Sequence, residues 1–274
     1  MTAGADVILS LRGVTKAFAG LKVVTDVGFE VPRGQRMALI GPNGAGKTTI
    51  FNLISGVFRL DEGAILLQGA DIARRPAGER AAMGLARSFQ NIRLMPHLSV
   101  VENVMVGQHV RTRGLVDLLT PLWLPRNRIW AEEAEARLRA FGLDTYPNVV
   151  TANLPYGIRK KIEVVRALMS RPKVLLLDEP AAGLNPAETS SLRDFLMEVA
   201  AEGVTLLVVE HDMAFVRSLC ERTVVLNFGR KIYDGPTAGV QDDPGVLEAY
   251  LGRRSAKGKD AAAAALAEGS IHAS

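Results

Sequence analysis

Gln35-Arg36-Met37-Ala38-Leu39-Ile40 runs directly into Gly41-Pro42-Asn43-Gly44-Ala45-Gly46-Lys47-Thr48-Thr49, and Ile50, Leu53 and Ile54 follow at helical spacing. The short apolar run is a buried strand in this reading, and the spacing after Lys47 predicts a helix to Ser55. Between them the residues match G-x-x-x-x-G-K-[ST] at every fixed position. Glycines allow a tight loop whose backbone N–H groups point inward, and the helix start adds partial positive charge. Strand, loop and helix together make a cradle for phosphate groups.

Working outward, Val174-Leu175-Leu176-Leu177-Asp178-Glu179 is a second apolar strand, ending in two carboxylates. In a parallel sheet the ligand crevice lies beyond the carboxyl ends of the strands, so both acids arrive beside the cradle. Successive strand side chains point opposite ways, so the pair divides the work. Asp178 suits a Mg²⁺ ligand and Glu179 the base that orients and activates water. Glu179 as a mere cap of the following segment is the plainer reading, and the cradle argues against it. Lys47 is placed to reach the β and γ phosphates, and the Thr48 hydroxyl to hold Mg²⁺. These motifs define a P-loop NTPase that binds a nucleoside triphosphate with Mg²⁺.

The rest of the chain fits an α/β architecture. Short strands are expected at Val7–Leu11, Val23–Val31 and Ala64–Gln68, with turn signals at Ala19-Gly20 and Pro32-Arg33-Gly34. Further on, strands at Val204–Val209 and Arg222–Asn227 alternate with helices starting at Pro186 and near Asp212. Continuous apolar strands separated by helices predict a mainly parallel core sheet covered on both faces, with an antiparallel β portion near the N-terminus. From about residue 91 to 168 the pattern is helical and reads as an inserted subdomain. Ser99 and Glu102 form a capping-box pattern there. The stretch 109–130 is irregular, with Pro121, Pro125 and two tryptophans, and Glu133/Arg137 and Glu135/Arg139 have i,i+4 spacing.

Bulk composition narrows the function classes. With 48% hydrophobic residues in 274, a substantial core is available. The net charge of +4 suits a phosphate-rich ligand or an anionic membrane surface and does not call for nucleic acid. Cys220 is the sole cysteine, so no internal disulfide forms, which fits a reducing compartment. Met1 to Asp6 lacks the basic start and apolar stretch of a secretion signal, and no apolar run approaches the roughly 18 residues of a membrane span. The expected location is peripheral, on the cytoplasmic face of the inner or plasma membrane. Residues 253–274, basic and then alanine-rich, read as a disordered tail.

Leu154-Pro155-Tyr156-Gly157, followed by Ile158-Arg159-Lys160-Lys161 upstream of Asp178, resembles the signature loop and helix of ABC ATPases. Motif order also matches, and the resemblance spans residues 7–252. It implies one ABC ATPase domain over 1–252. It further implies that Phe18 stacks on adenine, that Gln90 touches Mg²⁺ and faces the membrane subunit, and that His211 contacts the γ-phosphate. Ala181 to Pro186 occupies the D-loop position. Leu154, Pro155, Tyr156 and Gly157 would complete the nucleotide site of a facing subunit. Arg87-Ser88-Phe89-Gln90, Ala-Gly-Leu-Asn-Pro at 182–186, and the ending Asp243-Pro244 to Tyr250-Leu251-Gly252 resemble the larger ATP-binding subunit of bacterial branched-chain amino acid importers, a group that also serves urea and amides.

The implied partners are a second ABC ATPase subunit in a homo- or heterodimer, two integral permease subunits and, indirectly, an external solute-binding protein. Three departures from the family pattern stand out. The usual signature serine is Pro155, its glutamine is Ile158, and the D-loop aspartate is Asn185. Arg159–Lys161 open a helix where the macrodipole disfavours cations. That suits either phosphates from a facing chain or a solvated basic face. Rival assignments are a non-transport ABC ATPase, the ATPase of another ABC transporter, and a P-loop kinase or GTPase.

Overall fold

Strand-forming residues separated by tight turns open the chain. β1 (Val7–Phe18) and β2 (Leu21–Pro32) pair antiparallel through Ala19-Gly20, both in the left-handed backbone region that such two-residue hairpins need. With β4 (Glu62–Leu67) and β5 (Ala70–Asp71) they form a four-stranded sheet in the order β2-β1-β4-β5. The computed structural model describes residues 6–88, 92–111 and 125–250.

A second sheet has six strands in the order β10-β9-β3-β8-β7-β6. Its members are β3 (Arg36–Ile40), β6 (Leu85–Arg87), β7 (Val174–Asp178), β8 (Thr205–Val209), β9 (Arg222–Asn227) and β10 (Arg230–Pro236). All its pairings are parallel except β9 with β10. Alternation along each strand divides the core. Met37, Leu39, Leu176, Leu207 and Val209 pack with the first sheet and with α1 (Lys47–Ser55), whereas Ala38, Ile40, Leu175, Leu177 and Val208 face the helices beyond. Burial on both faces is why these strands read as unbroken apolar runs.

Between β6 and β7 the described chain is helical: α3 (Val100–Val106), α4 (Pro125–Ala140) and α5 (Tyr156–Leu168), with α2 (Ala77–Ala82) preceding β6. The capping box forms, with Glu102 N–H donating to Ser99 Oγ at 3.3 Å and Ser99 N–H to Glu102 Oε2 at 2.8 Å. α6 (Pro186–Ala201) and α7 (Met213–Leu219) alternate with β8 and β9. Among the described residues no helix is long and apolar enough to cross a membrane.

Several local features differ from the sequence expectation. β1 and β2 run longer than the apolar stretches that flag them, because their outer ends stabilise each other through the hairpin. β6 and β10 have no signature in the sequence; three residues, or a strand interrupted by Asp234-Gly235-Pro236, give too little alternation to register. α4 begins inside the stretch read as irregular, with Pro125 in its first turn, where a missing N–H costs nothing. Charge pairing there is tertiary: Glu133 accepts from Arg111 at 2.7 Å and Arg171 at 2.9 Å, while Arg137 reaches Glu202. The expected tail at 253–274 lies outside the described residues.

Arg80 on α2 is buried and joins the two layers around α1. Its guanidinium donates to the carbonyls of Leu53 and Ile54 at the α1 C-terminus, to Arg75 O at 2.8 Å and to Ala73 O at 3.1 Å. Burial lowers its pKa, and the Asp71 carboxylate opposes that shift. A cation is favoured at the helix C-terminus, where carbonyls lack helical partners. Arg80→Met is expected to lower the unfolding free energy by about 2–4 kcal/mol, because two buried and two partly buried acceptors lose a charged donor. Urea denaturation reads this directly, and an unchanged midpoint would refute the capping role.

Candidate active site

The register of three strands sets the site. On β8, Val208 and Val209 lie between Ala38-Leu39 of β3 and Leu177-Asp178 of β7. All three strands are parallel, so the loops leaving them emerge on one edge. The phosphate loop follows β3, the acid pair ends β7, and His211 follows β8. The structure therefore brings Lys47, Asp178, Glu179 and His211 to a common edge, although β3 and β7 are not neighbours.

Within the loop, Lys47 is buried and its Nζ donates to the carbonyls of Gly41 at 2.7 Å and Pro42 at 3.1 Å. Gly41 has φ +149, and a Cβ there would stand 2.1 Å from the Leu226 carbonyl oxygen, so glycine is required by space. Asn43, Gly44 and Thr48 are exposed, Thr49 is half-buried, and Ala45 and Gly46 are buried.

Phe18 sits at the end of the β1–β2 hairpin, whose Val23 carbonyl abuts Gly46. It is 39% exposed, meets the Phe58 ring in a T-shaped contact with centroids 5.1 Å apart, and has Lys16 Nζ over its ring at 5.4 Å from the centroid. Gln90 lies outside the described residues.

The acid pair differs in environment. Asp178 is buried and paired with Arg87 on β6: Nη2 to Oδ2 is 2.7 Å, with side-chain exposures of 9% and 10%. Arg87 also donates to Asn52 Oδ1 at 2.7 Å and Ser55 Oγ at 3.1 Å, both on α1. Glu179 is more open, and its backbone is left-handed at φ +47, a conformation costing a non-glycine residue about 1–2 kcal/mol. Such strain persists where neighbouring bonds enforce it. Here Glu179 N–H donates to Val209 O at 2.9 Å, and Ala182 N–H to Glu179 O at 3.2 Å. The His211 Nδ1 atom stands 4.0 Å from Glu179 Oε2, with the imidazole 64% exposed.

At the signature loop, Leu154 and Gly157 are buried, Tyr156 is half-buried and Pro155 is exposed, directly before α5. A Cβ on Gly157 would lie 3.0 Å from Glu188 Oε1, and one on Gly183 would lie 3.3 Å from the Tyr156 ring, so this loop packs on the D-loop segment. Asn185 caps α6, with Oδ1 accepting from Glu188 N–H at 3.0 Å.

Neither reading of Arg159–Lys161 describes Lys160. It is buried; burial lowers its pKa, and the carboxylates of Glu163, Glu210, Glu179 and Asp178 act against that. Lys161 donates to Ser191 Oγ at 2.8 Å and Arg159 lies over the Tyr156 ring.

Three residues escaped the sequence reading. In the sequence Arg87 stands only within a family string, and Glu210 only beside His211. Gly229, in the β9–β10 turn, donates to Ala45 O at 3.1 Å and accepts from Thr25 N–H at 2.8 Å. A Cβ on Gly229 would sit 2.2 Å from Val23 O. A glycine after Asn227-Phe228 at a hairpin was the available signal.

A phosphate loop after one parallel strand, with an acid pair closing another two positions away, defines a P-loop nucleotide hydrolase. The sequence matches the ABC transporter family over residues 24–182, and the chain belongs to that family as an ATP-binding subunit that hydrolyses ATP. As such it works with membrane permease components.

It is 40% identical over 249 residues to the high-affinity branched-chain amino acid transport ATP-binding protein BraF of Pseudomonas aeruginosa, covering 89% of this chain and 98% of that one. Identity to the high-affinity branched-chain amino acid transport ATP-binding protein LivG of Escherichia coli is 37% over the same coverage. Identity to a probable LivG of Archaeoglobus fulgidus is 33%, covering 91% of this chain and 97% of the relative. Among solved structures, the ADP conformation of the ABC transporter cassette MJ1267 superposes with a TM-score of 0.81 at 30% identity, covering 90% and 99% of the two chains. A nucleotide-free ABC cassette gives 0.80 at 29% identity, covering 89% and 98%. The kinase and GTPase readings fall with this family membership.

The Arg87–Asp178 pair carries a stability prediction of its own. Removing one partner of a buried ion pair leaves the other charge uncompensated, which costs about 3–5 kcal/mol. Arg87→Met is expected to destabilise the nucleotide-free protein by that amount in equilibrium unfolding. A loss below about 1 kcal/mol, the value of an exposed pair, would show the contact to be incidental.

Proposed function

We propose that this chain is one of two ATPase subunits powering an importer of branched-chain amino acids or related small polar solutes such as urea and amides. The partners in this reading are a second ABC ATPase, identical or different, two integral permeases and an external solute-binding protein. The chain would sit peripherally on the cytoplasmic face of the membrane. The observation that carries it is the meeting of Glu179 and His211 at 4.0 Å on the strand edge where the phosphate loop also emerges. Similarity to BraF and LivG supports the cargo class.

In this reading Lys47 exchanges the carbonyls of Gly41 and Pro42 for β- and γ-phosphate oxygens, and the backbone N–H groups of Asn43–Thr49 take the remaining phosphate charge. Phe18 stacks on the adenine. Glu179 accepts the proton of a water as its oxygen bonds to the γ-phosphorus, and the bond to the β–γ bridging oxygen breaks. His211 donates to the γ-phosphate, and Gln90 links the site to the permease. Thr48, Asp178 and Gln90 would hold Mg²⁺, which neutralises phosphate charge when bound.

Those donors are all hard oxygens. Among the described residues no group of three or more His, Cys, Asp or Glu could hold a metal unaided. A cation sharing phosphate oxygens and water with one or two protein groups is the habit of Mg²⁺.

The chain carries one cradle and one signature loop, so Leu154–Gly157 of a second subunit is assigned to close the site. Pro155 brings no hydroxyl. The first turn of α5 still presents backbone N–H groups without helical partners, and these take over the γ-phosphate contact. The helical segment 91–168 is assigned as the subdomain that carries this loop, within an ATPase domain of 1–252.

Two outcomes are expected. Glu179→Gln keeps ATP affinity and loses about 10² to 10⁴ in turnover, read by steady-state hydrolysis beside equilibrium nucleotide binding. Near-normal hydrolysis would remove Glu179 from the role. The same variant with ATP and Mg²⁺ dimerises with its partner ATPase in light scattering, and removing Mg²⁺ with a chelator abolishes this. Persistent monomer with the true partner present would sink the dimer mechanism.

A further inference from the structure

Glu210 is 1% exposed, yet neither of its carboxylate oxygens is idle. Oε1 accepts from Ala181 N–H at 2.8 Å, and Oε2 from His211 N–H at 3.1 Å. Ala181 belongs to the turn that leaves Glu179, whose left-handed backbone needs enforcement. His211 begins the loop that leaves β8, and its Nδ1 lies 3.8 Å from Glu210 Oε2. One buried side chain thus spans the two loops that deliver Glu179 and His211. Burial raises the pKa of Glu210, opposed first by the N–H bonds from Ala181 and His211 and then by the charge of His211.

We propose that Glu210 is a positioning residue for hydrolysis, locking the Glu179 turn to the His211 loop. The inference rests on the reading of Glu179 as the base. A carboxylate is demanded by the geometry, because both groups facing it are donors. A glutamine offers one acceptor and sets an N–H against the other N–H. Loss of one bond frees the turn without removing any atom that touches nucleotide. The consequence is a fall in the chemical step with binding preserved.

The test uses the full-length chain assembled with its permease subunits. Glu210→Gln is expected to lower kcat by about 10- to 100-fold while KM and ATP affinity stay within about twofold. Amide hydrogen exchange should accelerate at residues 181–183 and at His211, and not across the core strands. Wild-type kcat in a folded Glu210→Gln protein overturns the proposal, and so does a rise in KM at constant kcat. Exchange that accelerates everywhere also overturns it, since that marks a general packing role.

Should Glu210→Gln fail to fold, Glu210→Asp decides by the same split, since the shorter carboxylate keeps the charge but cannot reach both N–H groups, and unchanged kcat counts against the proposal. Glu179→Gln measured alongside separates the two readings. Its near-normal turnover removes the base assignment, whereas a dead Glu179→Gln beside a wild-type Glu210→Gln removes only the present inference.

Discussion

Val208 and Val209 hold the site together from within the sheet. Parallel pairing on both sides of β8 puts Ala38-Leu39 and Leu177-Asp178 at the same height. A slip of one residue on either side would turn the core faces of these strands inside out, so burial on both faces fixes the register firmly. The same pairing supplies the Val209 carbonyl that accepts from Glu179 N–H at 2.9 Å. Phosphate loop, acid pair and His211 therefore owe their proximity to hydrophobic burial several residues behind them.

Around that sheet, charged side chains do the fine positioning. Arg80 closes the C-terminal end of α1, Arg87 joins α1 to Asp178, and Glu210 bridges the turns after β7 and β8. Each is buried or nearly so, and each engages several partners. Burial without such partners would be costly, so these groups bind their surroundings more tightly than exposed ion pairs could. Rigid support of this kind suits a site whose chemistry depends on where a water and a phosphate are held.

The ends of the segment around residues 89–91 are anchored to different elements. Upstream, Arg87 is tied to Asp178 and α1. Downstream, Arg93 N–H donates to Glu163 Oε1 at 3.0 Å and Arg93 O accepts from Arg166 at 2.7 Å, both on α5. Burial raises the pKa of Glu163, opposed by the bond from Arg93 and by the charge of Arg166.

Legibility in the sequence followed chemical locality. Gly41–Thr48 and Asp178-Glu179 could be read because each function is written in adjacent residues on a strand end, and α1 and the Ser99 capping box because their signals repeat within a turn. The α/β class followed from unbroken apolar runs. Strand order, the hidden strands β6 and β10, and the inward turn of Lys160 could not be read, because each depends on what packs opposite. Arg87 meets Asp178, and Glu210 meets Ala181, across distances in sequence that no local pattern encodes. By itself the sequence determined that a phosphate cradle and an acid pair exist. Only the tertiary structure decided that they share an edge and which buried charges hold them there, since long-range strand pairing is settled by the whole core at once.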